Sequence, residues 1–114
     1  MFRRSFLAAT FAFAATATAQ VFPADITGTY TAFGMNPNGS TYKGRVRIEQ
    51  SDTGQVAFAW QVGNSTYAGQ GVREDRVVTI DWGQKDPVVY VIMDSGELHG
   101  TWAGGKALER LVRE

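Results

Sequence analysis

His99 is the sole imidazole in the chain, and there is no cysteine. A hydrolytic triad centred on that histidine needs a serine and a carboxylate converging on it. A zinc or iron site needs several Cys, His or carboxylate ligands at regular spacing. Neither pattern occurs. Leu98, Gly100 and Trp102 alternate with Glu97, His99 and Thr101, which places His99 on the outer face of a strand. A glycosidase needs two carboxylates, and Asp81 with Asp86 is the pair to weigh. Val78, Ile80 and Trp82 make the stronger apolar face of their segment, so Asp81 is expected to point to solvent. No calcium loop and no phosphate-cradling glycine loop is present. The expectation is therefore no catalytic residue, no metal ligand and no cofactor.

Glu109 is open to two readings. The last segment can bury Leu108, Arg110 and Val112, or it can bury Ala107, Glu109 and Leu111. In the second phasing Glu109 is a buried carboxylate and requires a basic or hydroxyl partner.

Aromatic side chains suggest binding more strongly than any polar group suggests catalysis. Tyr30, Tyr42, Trp60, Tyr67, Tyr90 and Trp102 fall on the expected inner face or near strand ends. Ligand sites are concave, apolar and fitted with a few polar groups, and barrel mouths are a usual place for them. Rings of this kind also fill cores, and an eight-stranded barrel is only just wide enough for its own side chains. On the opposite face, Lys43, Arg45, Arg47 and Glu49 form a charged stripe. That stripe is read as a solvated face, with docking of an acidic partner as the alternative.

These residues must be carried by strands. Turn residues punctuate the chain roughly every ten positions, the pattern of an all-β sandwich or barrel. The first segment runs near Ile26–Phe33 and stops at Gly34, before the turn Asn36-Pro37-Asn38-Gly39. Tyr42, Gly44, Val46 and Ile48 alternate with the charged stripe; Val56, Phe58, Trp60 and Val62 follow. Tyr67–Gly71, Val77–Trp82, Val88–Met93, Leu98–Trp102 and Lys106–Val112 complete about eight strands with short links. Ala107–Arg113 has helical propensity as well, and is read as a closing strand. Simple succession predicts an up-and-down antiparallel meander that closes into a barrel, with a β-sandwich as the alternative. Ser-Thr-Tyr-x-Gly occurs at Ser40–Gly44 and Ser65–Gly69, setting a Tyr beside a Gly on one face. The glycine lets the sheet coil and the ring is expected to cover the gap.

Residues 1–19 read as an export signal. Arg3 and Arg4 precede an apolar run from Phe6 to Ala15, and Ala17-Thr18-Ala19 supplies a cleavage pattern. The run is shorter than the roughly 20 residues a membrane span needs. An ordinary secretory signal is preferred, with the twin-arginine route as alternative. A single domain over residues 20–114 is expected in the periplasm or outside the cell. Loss of Arg3 and Arg4 takes the basic count two below the 11 acidic side chains. That balance argues against nucleic acid and anionic membranes as partners. Without disulfides, stability must come from the core or from a homo-oligomer.

The chain resembles a group of small exported proteobacterial proteins, some of which are called fibronectin-binding proteins. The likeness rests on Gly28-Thr29-Tyr30, Asn36–Ser40, Tyr42-x-Gly44, Trp60-x-Val62-Gly63, Tyr67-x-Gly69-x-Gly71, Val89-Tyr90 and Leu98-x-Gly100-x-Trp102. These are architectural positions, so the resemblance implies a fold more than an activity. Avidin-like and lipocalin-like barrels are more loosely similar, through Gly-x-aromatic openings and pockets lined with Trp, Tyr and Ser. No biotin-site motif matches, so no ligand is implied. The expected function is non-enzymatic binding of a small apolar or amphipathic ligand at an aromatic-lined barrel mouth. The alternative is a protein–protein module, an adhesin or hydrolase inhibitor, acting through outer strands and the loops Asn36–Ser40 and Gly83–Pro87.

Overall fold

The computed structural model describes residues 25–114, so the export signal read at residues 1–19 lies outside the described residues. Eight strands follow in order: β1 (Gly28–Met35), β2 (Thr41–Gln50), β3 (Gln55–Val62), β4 (Ser65–Glu74), β5 (Val77–Asp81), β6 (Val88–Ile92), β7 (Leu98–Trp102) and β8 (Ala107–Arg113). Each pairs antiparallel with the next, and β8 pairs back onto β1 from Tyr30↔Arg113 to Met35↔Leu108. The sheet is a closed up-and-down barrel and not a sandwich. Closure leaves no strand edge unpaired, which a sheet of eight short strands would otherwise expose.

The two-residue period of a strand sorts the side chains. Val46 and Ile48 of β2, Val56, Phe58 and Trp60 of β3, and Val78 and Ile80 of β5 are buried, and their neighbours are exposed. Burying one such aliphatic or aromatic side chain contributes about 1.5–3 kcal/mol. In β8 the buried set is Ala107, Glu109 and Leu111, which settles the phasing that the sequence leaves open. Pairing on both flanks makes Ala107–Arg113 a strand despite its helical propensity.

Both limits of the first strand differ from expectation, and β4 runs past the expected Tyr67–Gly71 at each end. β1 continues through Gly34 to Met35, because Gly34 pairs with Tyr42 on one side and Glu109 on the other. Ile26 and Thr27 lie outside β1 and fold under the barrel. Ile26 is fully buried there, its carbonyl accepting a 2.8 Å hydrogen bond from the Tyr30 hydroxyl. Arg113 donates to the Thr27 carbonyl at 2.8 Å, and Thr27 Oγ1 accepts from the Gln50 amide at 2.9 Å. This end carries both the β2–β3 turn and the plug. At the other end stand the turns between β1 and β2, β3 and β4, β5 and β6, and β7 and β8, and that end is the mouth.

Inward glycines are covered from the next strand, not from two residues along their own. A Cβ on Gly34 would fall within the Tyr42 ring, and one on Gly100 would strike the Tyr90 ring. Each tyrosine is the direct cross-strand partner of the glycine it covers.

Candidate functional site

One row of residues crosses five strands. Tyr42 of β2 pairs with Gly34 of β1, Gly34 with Glu109 of β8, Glu109 with Gly100 of β7, and Gly100 with Tyr90 of β6. Neighbouring strands lie about 4.8 Å apart, so each tyrosine starts two strands away from the glutamate. Because the intervening residue is glycine, each ring can lie across it and reach Glu109. The Tyr42 hydroxyl donates to Glu109 Oε1 at 2.7 Å, and the Tyr90 hydroxyl donates to Oε2 at 2.6 Å.

Two indoles complete the network. Trp102 Nε1 donates to the Tyr42 hydroxyl at 3.1 Å. Trp60 Nε1 donates to the Tyr90 hydroxyl at 3.1 Å and to Glu109 Oε2 at 3.2 Å. An indole N–H can only donate. Each tyrosine oxygen therefore accepts from a tryptophan, and its one proton goes to Glu109. Three donors are thus aimed at the two Glu109 oxygens, one at Oε1 and two at Oε2. Glu109 is 7% exposed, and its partners are hydroxyls and an indole. Among the described residues, the ion pairs join other groups: Arg45 with Glu114, Arg47 with Glu49, Arg76 with Asp94, and His99 and Arg110 with Glu97.

Burial, then the Glu109 charge, then the hydrogen bond to it raise the hydroxyl pKa values of Tyr42 and Tyr90 above the usual phenol value. Burial alone is the leading cause of the rise at Tyr30. These phenols act as held donors. An unfolded tyrosine loses its proton near pH 10, whereas the folded barrel retains all three. Above pH 10 the unfolded state thus binds fewer protons, and stability falls as pH rises. The contribution is complete below pH 10 and lost above it. Ultraviolet titration is expected to show Tyr30, Tyr42 and Tyr90 ionising only together with loss of the far-UV strand signal. Reversible ionisation of all four tyrosines in the intact barrel would contradict the network.

Above this floor lies a cavity of about 170 Å³. Its aromatic walls are Tyr42, Trp60, Tyr67, Trp82 and Trp102. Trp82 is the hub, meeting Trp60 at 60°, Tyr67 at 68° and Trp102 at 83°, with centroids 5.8–6.4 Å apart. Tyr42 meets Trp102 at 62°. Rings set edge to face in this way form walls, not a stack. The third indole N–H, of Trp82, donates to the Asp86 carbonyl at 3.0 Å.

Four of the six aromatic residues singled out in the sequence meet here: Tyr42, Trp60, Tyr67 and Trp102. Tyr30 and Tyr90 do not line the cavity. Tyr30 is sealed against the plug at the far end, and Tyr90 lies beneath the floor, stacked on Phe58 at 5.4 Å. Trp82 and Glu109 were not on that list. Trp82 was signalled by its parity with Val78 and Ile80, while Glu109 had no local signal beyond one of two phasings.

No family model matches the chain, and no curated protein does. Among solved structures it is similar to a redesigned β-barrel, with 18% identity and a TM-score of 0.57 over 78% of this chain and 91% of that one. At that identity the likeness shows the fold alone.

The polar candidates outside the mouth are surface groups. His99 is exposed, with Nε2 2.8 Å from Glu97 Oε1. Asp81 is exposed and accepts from the Gly83 amide at 2.9 Å. Lys43, Arg45, Arg47 and Glu49 all face outward, and Arg45 pairs with Glu114 at 2.8 Å. A hollow of about 540 Å³ lies over Arg45, Arg47, Ala59 and Gln61 on the barrel wall. It is an open depression on the outer wall, whose lining also includes Thr29 and Thr66.

Proposed function

We propose that this chain is an exported binding protein that holds a small molecule at its aromatic mouth without transforming it. The observation that carries this reading is the cavity of about 170 Å³ walled by five rings over a buried carboxylate. A cavity of about 150 Å³ suits a molecule the size of benzene, so the ligand is one ring or one compact group. This is far below the ~300–1,000 Å³ of a drug-sized site. A lipocalin-like cargo is too large. Packing by Tyr30, Phe58 and Tyr90 beneath the floor limits the depth. The exported address rests on the pattern from Arg3 to Ala19.

All three tryptophans line the cavity, so their emission reports its occupancy. Calorimetry and tryptophan fluorescence with a panel of compact one-ring or branched molecules, neutral and charged, test the reading. At least one member is expected to bind saturably and shift the emission. Trp82→Ala is expected to weaken that binding by about ten-fold, one wall's contribution. A folded barrel that binds no member of the panel would reject the reading and favour a protein contact through the outer strands.

A further inference from the structure

We infer that the mouth selects a small methylated ammonium cation. The inference rests on the small-ligand reading above and names the ligand's chemistry. Three observations point to it. The first is charge: Glu109 forms the floor of the cavity as an acceptor of three hydrogen bonds from neutral groups. A buried carboxylate is costly unless a positive charge offsets it. Among the described residues, the basic side chains of the ion pairs join surface acids. A cationic ligand would supply the offsetting charge from the cavity side.

The second observation is the walls. Five aromatic rings line one shared space, meeting their neighbours edge to face at 60–83°. The face of a ring carries negative charge and attracts a cation, most strongly when water is excluded. Trp, the best such ring, supplies three of the five walls.

The third is the direction of the donors. All three indole N–H groups are committed to protein acceptors, to Tyr42, to Tyr90 and Glu109, and to the Asp86 carbonyl. The hydroxyl protons of Tyr42 and Tyr90 are committed to Glu109. An anion entering the mouth would therefore meet a carboxylate and few donors. A primary ammonium brings three donors that each seek an acceptor, and ring faces are poor acceptors. Methylation removes those donors and keeps the charge, which matches an apolar box with a carboxylate beneath it.

Choline and 3,3-dimethylbutan-1-ol share one shape and differ in charge, so they isolate the effect. Calorimetry of both against the folded protein is expected to show choline binding at least about ten-fold more tightly. Glu109→Gln keeps the side-chain shape and one of the two acceptor oxygens, and is expected to erase that preference while remaining folded. The wild-type comparison stands even if the variant misfolds. Equal binding of the two, or tighter binding of the alcohol, overturns the cation inference and leaves the small-ligand reading intact. Binding of a neutral panel member with no binding of choline does the same. Failure of choline, the alcohol and the whole panel overturns both. Co-sedimentation with phosphatidylcholine vesicles, lost in Glu109→Gln, would identify a lipid headgroup as the source of the cation. Choline binding without co-sedimentation would identify a free small molecule. Either result supports the inference.

Discussion

Replacing Gly100 with valine is expected to lower the thermal midpoint of the barrel by about 12 °C or more. Gly100 stands between Glu109 and Tyr90 in the row that builds the cavity floor, and its missing side chain is where the Tyr90 ring lies. A Cβ there also approaches the Val89 carbonyl at 2.6 Å, so the backbone cannot yield cheaply. Overpacking a core costs about 1–3 kcal/mol. Displacing Tyr90 also breaks its 2.6 Å hydrogen bond to Glu109 and leaves a buried acceptor short of a donor, a further ~1–3 kcal/mol. For a domain of this size each kcal/mol is worth about 4–8 °C, so a combined loss near 3 kcal/mol gives the stated shift. His99→Val is the matched control. It changes the adjacent residue on the same strand, faces solvent, and is expected to stay within about 0.5 kcal/mol of the parent. Circular dichroism melting curves of the two variants decide the matter. A Gly100→Val midpoint within a few degrees of the parent would show that the row does not hold the floor together.

Phe58→Ala is expected to cost about 3–5 kcal/mol and to change what the mouth accepts. Phe58 is buried, stacked on Tyr90 with centroids 5.4 Å apart at 15°, and tilted against Trp60 at 5.4 Å and 38°. It supports both of the rings that bind Glu109 Oε2 from below. Removing it opens space beneath the floor, because a closed barrel relaxes only in part around a deleted ring. A domain with about 5–15 kcal/mol of stability remains folded in the upper part of that range. Urea denaturation measures the loss. Binding of a two-ring naphthalene probe, which the parent is expected to refuse, measures the deeper cavity. An unchanged preference for compact molecules would show that the void collapses, and that Phe58 does not limit the depth.

Both predictions depend on features that the sequence made visible to different degrees. The strand count and the closed meander were legible because alternation in segments such as Tyr42–Glu49 and Val56–Val62 reports one half-buried strand at a time. The same parity put Tyr42, Trp60, Tyr67 and Trp102 on the inner face, and would have added Trp82. It could not separate Tyr30 and Tyr90 from them. Parity names a face but not a height along the barrel axis, and Tyr30 sits at the plugged end. Nor could it choose between the two phasings of the last strand, where Leu108 and Val112 compete with Ala107 and Leu111.

The sequence by itself determined an all-β body of about eight strands and its inward-facing rings. These follow from local alternation and residue type, which act over a few positions. The tertiary structure alone decided that Tyr42, Gly34, Glu109, Gly100 and Tyr90 form one row, and that the space above it measures about 170 Å³. Register between strands far apart in sequence sets the row, and packing of whole side chains sets the volume. Glu109 lies 67 residues from Tyr42 and 19 from Tyr90. Only closure of the barrel brings the three together.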